Sequence, residues 1–175
     1  MSETKMFLDA LFKNVPEEYY FLIWTYPDLK SYWYGVNTIP FATSYINNDL
    51  KVDQNVYVGV GLSDRDRGSN VKGGKKDTVG ITGFYLDLDV LHHVHKKPNL
   101  PPNIDVARGL VNAPGLNPTI VIDSGHGLQA WWLFKEPWLF DSEEDRIRAD
   151  NLSRAWNHTF REHAKHAGWD VDSVY

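Results

Sequence analysis

The sequence predicts an α+β (α/β) domain in which helices cover one face of a mixed β-sheet. Three observations support this fold class. Short apolar runs typical of strands recur along the chain, and segments with the apolar spacing of helices separate them. Two such runs, 119–123 and 128–134, are joined by the short segment 124–127, as in a hairpin. With 175 residues, the chain suits one domain with at most a small appended subdomain.

The first part of the chain is rich in aromatic and apolar runs. A short helix is predicted over 3–13, and strands are predicted over 20–26, 31–36 and 56–62. A Gly- and charge-rich loop is predicted over 63–78. Loops of this length are uncommon inside compact domains unless they serve a function or are mobile.

In the second part, the two-residue repeat of strands alternates with the longer repeat of helices. The predicted elements are a strand over 80–90, a basic loop over 92–102, a helix over 103–113, the two hairpin strands, a helix over 142–167 and a strand beginning at 169. Asn103 suits the N-cap of the first helix, and Asp141 or Ser142 that of the second. Because 169–175 ends without a turn signal, we expect the sequence to continue in a longer polypeptide.

Composition excludes several classes of protein. The chain has no Cys, which excludes disulfides, thiolate catalysis and zinc–thiolate sites. The N-terminal segment has no long apolar run, so we expect neither a signal peptide nor a membrane span. We expect a cytoplasmic location instead. Aromatic residues make up 14% of the chain, which predicts either a core of large side chains or platforms that stack bases.

The net charge of −5 argues against nucleic acid as a partner, but phosphate contacts need only a local basic surface. One such stretch lies within the predicted 63–78 loop: from Arg65 to Lys76, five basic side chains accompany one acid, Asp66. The stretch is equally typical of a solvated loop and of a DNA-binding surface. Its basic residues are Arg65, Arg67, Lys72, Lys75 and Lys76.

Asp87 and Asp89 form a candidate metal site. Residues two apart on a strand project to the same face, so both carboxylates point one way while Leu86 and Leu88 point into the core. Two neighbouring carboxylates repel one another unless a cation lies between them. Their hard oxygen ligands suit Mg²⁺ or Mn²⁺. Acids at a strand end are nonetheless common.

Ser124-Gly125-His126 is a second candidate site, placed in the hairpin connection. A hydroxyl, backbone N–H groups and an imidazole presented together can cradle the phosphates of a nucleotide. The plainer interpretation is a tight turn with one exposed His. Asp170 and Asp172 form a second acid pair, and spacing alone does not decide which would join the first pair.

Three acids around two metal ions would serve in-line nucleotidyl transfer. In the order Asp-Leu-Asp at 87–89, Ser-Gly-His at 124–126 and Val-Asp at 171–172, the sequence resembles the archaeo-eukaryotic primase superfamily. It is similar in particular to the primase–polymerases of phages, plasmids and mobile elements, over about residues 55–175. Further similar segments lie at 85–90, 95–97, 100–101, 118–121, 127–132, 136–138 and 168–169.

The resemblance implies an RRM-like catalytic module (55–175) with a smaller N-terminal α/β unit (1–54). It implies a DNA-directed primase or polymerase that binds template DNA, single-stranded or primed, and NTP or dNTP, with a helicase domain or replicative helicase as an associated partner. The implied metal ligands for Mg²⁺ or Mn²⁺ are Asp87, Asp89 and Asp172. The implied nucleotide-binding residues are Ser124, Gly125 and His126.

The sequence departs from the family at two places. Many relatives have a His where Gln129 stands, which leaves His126 as the candidate imidazole. The Arg-rich segment that follows the third acid in relatives does not appear in the sequence after Tyr175.

Two other functions fit parts of the sequence. His93 and His95 have the His-hydrophobic-His form of rolling-circle replication endonucleases, which are also RRM-like, but the predicted 142–167 helix lacks the nucleophilic Tyr usual there. A non-catalytic RRM-like module that binds single-stranded DNA would explain the aromatic residues and the basic loop. It would not explain two acid pairs, because uncompensated carboxylates repel phosphate.

Overall fold

The computed structural model describes residues 2–51, 53–93 and 97–171, and over them the chain is α+β, as predicted. The helices are α1 (Glu3–Leu11), α2 (Ile39–Ser44), α3 (Ile104–Asn112) and α4 (Glu143–His166). The strands are β1 (Tyr20–Tyr26), β2 (Lys30–Gly35), β3 (Asn55–Val58), β4 (Gly61–Leu62), β5 (Gly80–Asp89), β6 (Ile120–Asp123) and β7 (Gly127–Leu139). No helix in the described part of the chain is long and apolar enough to cross a membrane.

The strands form two sheets, with orders β2-β1-β3 and β4-β5-β7-β6. In the first sheet both pairings are antiparallel, and in the second so are β4 with β5 and β6 with β7. Gly83, near the start of β5, packs against Leu133 in β7, whereas Asp89, at the end of β5, packs against Gly127 at the start of β7. Residue numbers therefore rise along β5 while those of its neighbours in β7 fall. Strands β5 and β7 are therefore antiparallel as well.

The prediction of a mixed sheet is corrected by these pairings. Strands β5 and β6 run in the same direction, as expected for two strands joined through a helix. Strand β7 lies between them, however, because the β6–β7 hairpin folds back into that position. Neighbouring strands consequently alternate in direction.

The described residues divide into two compact units, and each contains two segments of sequence. The first unit lies within Met1–Thr82 and Phe134–Arg146, and the second within Gly83–Leu133 and Ile147–Tyr175. The sequence-predicted division between 1–54 and 55–175 falls inside the first unit, because β3 pairs with β1 there.

In the first unit, helices cover one face of the β2-β1-β3 sheet. Phe21, Ile23 and Thr25 alternate along β1 and are fully buried on this face. The ring of Phe21 stacks on that of Phe12, just after α1, with centroids 4.3 Å apart. The intervening β1 residues, among them Trp24, lie on the opposite face.

The second unit has its own core between the sheet and helices α3 and α4. Strand β5 contributes every second residue to it, and the same alternation holds in β7. The buried residues are Leu86, Leu88, Val90, Ala107, Leu110, Val111, Leu128, Ala130, Trp132, Phe160, Ala164 and Val171. Because the helices occupy this face, the side chains on the opposite face of β5 are left for other contacts.

Most predicted elements of the second half are confirmed. The side chain of Asn103 accepts a hydrogen bond from the Val106 N–H at the start of α3, and Ser142 Oγ accepts one from the Asp145 N–H at the start of α4. Strand β7 is longer than predicted and reaches Leu139. The strand predicted from 169 is not formed over 169–171, and its remainder lies outside the described residues.

In the first half, the predicted strand 56–62 is divided into β3 and β4 by Gly59 and Val60, so its two ends join different sheets. The helical segment over 36–49, which includes α2, was not predicted. Within it, α2 begins at Ile39, next to Pro40, and proline suits the first turn of a helix.

Candidate functional site

Asp87 and Asp89 lie on the face of β5 that points away from the helical core. Both are partly exposed, whereas Leu86 and Leu88 between and beside them are fully buried. The predicted strand geometry is therefore confirmed, since the two carboxylates share one face. Two carboxylates on an otherwise apolar strand supply the hard oxygen ligands that suit Mg²⁺ or Mn²⁺.

The Ser124-Gly125-His126 segment forms the exposed β6–β7 connection. Ser124 donates from its backbone N–H to the carbonyl oxygen of Gly127 at 3.0 Å, and the Asp123 carboxylate accepts from the Gly125 N–H at 2.8 Å. Gly125 has a φ of +80°, a left-handed conformation that favours glycine. These bonds close the turn and present the His126 imidazole at its exposed surface.

The backbone brings this turn to the end of the carboxylate-bearing strand. The Val90 N–H donates to the carbonyl oxygen of His126 at 2.9 Å. In an antiparallel pair this bond places Val90 opposite His126, and it therefore places Asp89 opposite Gly127 and Asp87 opposite Gln129. The two candidate sites, which are distant in sequence, are thus joined at one edge of the second unit.

Gly127 is required for this close approach. A Cβ built on Gly127 would collide with the carbonyl oxygen of Leu88 and lie 2.8 Å from the Cα of Asp89. The backbone of β5 is therefore the neighbour that excludes a side chain at position 127.

Three imidazoles gather beside the turn. The ring of His92 lies edge-on to that of His126, with centroids 4.5 Å apart, and 4.0 Å from that of His93. His92 is half-buried, and the Leu91 N–H before it donates to the carbonyl oxygen of Pro101. The sequence predicted only a basic loop over 92–102 and did not indicate the contact between His92 and His126. His95, the other half of the predicted His-hydrophobic-His pair, lies outside the described residues.

An aromatic pair adjoins Asp87 on the face of the sheet opposite helices α3 and α4. Tyr85 and Trp131 stack with ring centroids 5.4 Å apart and an interplanar angle of 28°. Burial raises the pKa of Tyr85, and the negative charge of Asp87 raises it further. The tyrosine is therefore a neutral neighbour of the carboxylates. Its alternation with Asp87 along β5 is visible in the sequence, but its pairing with Trp131 is not.

The third acid is not located by the structure. Asp172 lies outside the described residues, while Asp170 is exposed and donates from its backbone N–H to the carbonyl oxygen of Asn99. Within residues 2–51, 53–93 and 97–171, no group of three or more His, Asp or Glu side chains is arranged to hold a metal ion. The choice of Asp172 over Asp170 stays a prediction.

The basic stretch lies in the first unit, and its members differ in their contacts. Arg67 is held within the loop: its side chain, 10% exposed, pairs with Asp64 and Asp77 and donates to Ser63 Oγ. Lys72 is exposed, and its ammonium lies 3.1 Å from the ring centroid of Trp24. Arg65, Lys75 and Lys76 are also exposed.

Comparisons with protein-family models, with curated proteins and with solved structures find no significant match to this chain. Function is therefore inferred from the residues of the site and from their placement on the fold.

Proposed function

We propose that the protein is a DNA-templated nucleotidyltransferase, a DNA primase, a DNA polymerase or both, that joins nucleotides to a 3′-hydroxyl. The observation that carries the proposal is the Val90–His126 backbone bond, which brings the Asp87–Asp89 strand and the Ser124–His126 turn together. These are the two segments on which the resemblance to primase–polymerases depends most.

The order of elements in the second unit supports the same proposal. Strand β5, helix α3, strands β6 and β7 and helix α4 follow one another, with β7 between β5 and β6 in the sheet. This arrangement corresponds to the first five elements of the βαββαβ fold to which RRM-like modules belong. The carboxylates lie on the face without helices, which is the face that such modules use for nucleic acid.

Asp87 and Asp89 would hold a divalent metal ion, Mg²⁺ or Mn²⁺, with Asp172 as the third ligand. When bound, the metal lowers the pKa of the attacking hydroxyl and stabilises charge on the phosphate. The turn at Ser124, Gly125 and His126 would bind the phosphates of the incoming NTP or dNTP. The exposed imidazole of His126 can donate a hydrogen bond to an anionic phosphate oxygen.

The partners implied by this activity are template DNA and nucleotides. A helicase domain or a replicative helicase is the further partner that the resemblance suggests, and the proposed location is the cytoplasm. The face that carries Asp87 also carries the stacked Tyr85 and Trp131, so two aromatic rings border the proposed reaction centre.

Primer extension tests the proposal directly. Purified protein is incubated with a primed DNA template and labelled NTPs or dNTPs, with Mg²⁺, with Mn²⁺ or with EDTA, and product lengths are scored on a gel. An unprimed template in parallel reports synthesis de novo. Asp87→Asn and Asp89→Asn keep the side-chain size but remove one charge each. Asp105→Asn is the matched control, because Asp105 is an exposed carboxylate in the first turn of α3.

We expect extension to require the metal and to fall at least about a hundredfold in either site variant, since metal stabilisation of a transition state is worth several kcal/mol. The control should extend as the wild type does. Equal activity in Asp87→Asn and Asp105→Asn would contradict the metal assignment. A covalent tyrosine–DNA product would favour the rolling-circle alternative instead.

A further inference from the structure

The first unit carries a row of aromatic side chains that the proposed reaction does not use. Trp24 and Tyr26 lie two residues apart on β1, and Tyr57 on β3 lies directly opposite Trp24. The ring centroid of Trp24 lies 5.2 Å from that of Tyr57 and 6.3 Å from that of Tyr26. Tyr26 is 49% exposed and Tyr57 50%, so two large rings on this face of the sheet are open to solvent.

The basic loop is fixed against this same face of the sheet. The indole N–H of Trp33 donates to the carbonyl oxygen of Val71, and the backbone at Gly73 packs closely on the Trp33 ring. The loop thereby places Lys72 over the face of Trp24. This cation–π contact holds the ammonium at the border of the aromatic row.

The local charge is positive although the whole chain is acidic. The 63–78 loop has five basic side chains against three acids, Asp64, Asp66 and Asp77, and two of these acids pair with Arg67. Lys72 remains exposed together with Arg65, Lys75 and Lys76. An anion approaching the aromatic row would meet this positive charge.

A cleft opens between the loop and the sheet, bordered by Trp33, Lys72 and Thr78. Its volume of about 110 Å³ is well below the several hundred Å³ of sites that enclose a whole organic ligand. A partner of this surface must therefore lie along it and reach beyond the cleft, as a chain does.

We propose that the aromatic–basic surface, formed by Trp24, Tyr26, Tyr57 and Lys72, binds single-stranded DNA. Exposed tyrosine rings stack unpaired bases, while a cation beside them contacts the phosphates, and the combination is typical of single-strand binding. Lys72 covers the face of Trp24, so the bases stack on Tyr26 and Tyr57. A duplex hides the faces of its bases and can use only the charged part of this surface.

This site lies outside the proposed reaction centre and does not depend on nucleotidyl transfer. Binding is therefore measured without nucleotides and in EDTA, where no extension occurs. The probe is a fluorescein-labelled oligothymidylate of about 20 nucleotides, several times the shortest site sizes of single-strand binders. Its anisotropy gives Kd for the intact protein over a range of salt concentrations, and the same strand in a duplex is measured in parallel.

Tyr57→Ala removes a stacking ring and should raise Kd at least about fivefold, the lower limit for loss of one base–aromatic stack. Tyr57→Phe keeps the ring and should bind as the wild type does. Lys72→Gln should raise Kd and reduce the slope of log Kd against log salt by roughly 0.7, as expected for one lost phosphate contact on a single strand.

Matched controls come from the same unit. Phe41→Ala removes an aromatic ring that is 71% exposed on α2, and Lys13→Gln removes an exposed cation just after α1. Both should leave Kd within twofold. The proposal is overturned by tighter binding of duplex than of single strand, by no loss in Tyr57→Ala, or by an equal loss in Phe41→Ala. Circular dichroism of each variant ensures that folded proteins are compared, and Tyr26→Ala replaces Tyr57→Ala if the latter unfolds.

Discussion

The amide N–H of Val90 donates to the carbonyl oxygen of His126 across 2.9 Å, and this single bond sets the register of the candidate site. Val90 comes directly after β5 and is the last of the alternating buried residues Leu86, Leu88 and Val90. The bond also fixes the first residue of β7, because Gly127 then lies opposite Asp89. Any change that separates these two backbones should separate the carboxylates from the Ser124–His126 turn.

Gly127→Ala tests this close packing. The added methyl group would collide with the carbonyl oxygen of Leu88, so β7 must shift or the pairing must open. We expect a loss of about 1–3 kcal/mol in the free energy of unfolding, as for other overpacked sites. Urea denaturation measures it.

Gly109→Ala is the matched control for that variant. Gly109 lies in α3 with no atom within 4 Å of an added Cβ, so alanine should stabilise the helix by about 0.5–1 kcal/mol. Destabilisation of both variants to the same extent would show that Gly127 is not specially constrained.

His92 is predicted to position the imidazole of His126. His92→Ala removes the edge-on ring contact and should raise KM for the nucleotide about two- to tenfold, the effect expected from loss of one aromatic pair. His92→Phe keeps the contact and should restore KM, with kcat similar in all three proteins. Steady-state extension kinetics give both constants.

A second measurement makes the His92 prediction independent of activity. The NMR signal of the His126 ring protons should move in His92→Ala, because a neighbouring ring is lost, and should move less in His92→Phe. An unchanged His126 signal in the alanine variant would show that the two rings do not meet in solution.

Arg67→Lys tests the anchoring of the basic loop. Lysine keeps the charge but cannot bond to Asp64, Asp77 and Ser63 together, so we expect a loss of about 1–3 kcal/mol in stability. Hydrogen exchange of residues 64–78 should also become faster. Arg65→Lys changes an exposed neighbour and should leave both the stability and the hydrogen exchange of residues 64–78 unchanged. Similar hydrogen-exchange rates in the Arg67→Lys and Arg65→Lys variants would contradict the anchoring role of Arg67.

A cluster of tyrosines predicts how stability depends on alkaline pH. Burial raises the pKa of Tyr45, and a hydrogen bond with Tyr32 raises it further; burial also raises that of Tyr34. Groups whose pKa is higher in the folded state contribute stability that is complete below their unfolded pKa, here 10.0, and that is lost as the pH rises above it.

We therefore expect the urea midpoint to fall between about pH 9 and pH 11, where tyrosine in the unfolded chain ionises. Tyr45→Phe cannot ionise at this position and should show a shallower fall than the wild type, with only a constant offset below pH 9. If the urea midpoints of the wild type and of Tyr45→Phe fell in parallel over the whole pH range, Tyr45 would not contribute to the alkaline loss of stability.

Local patterns in the sequence were sufficient for the elements that carry the candidate site. The alternation around Asp87 predicts the strand and the shared face of the carboxylates, and Asn103 predicts the start of α3. These features depend on neighbours in sequence. The contact of His92 with His126 and the stack of Tyr85 on Trp131 depend on which strands pair, and no local pattern contains that information.

The same distinction explains the errors in the fold. The run 56–62 has the composition of one strand, but Gly59 and Val60 let its ends join different sheets. The mixed sheet was expected because strands alternate with helices along the chain. The position of β7 between β5 and β6 depends on where the hairpin docks, which spacing does not specify.

Strands β5 and β7 each pass from one compact unit to the other, at Thr82–Gly83 and at Leu133–Phe134, and the chain passes a third time at Arg146–Ile147. Neither unit can therefore be cut out as one uninterrupted fragment. A chimera that exchanges the carboxylate-bearing unit for another would need three junctions, two of them inside strands. A single crossover at either strand junction would take the two parts of that strand from different parent sequences, and it would not exchange one unit as a whole.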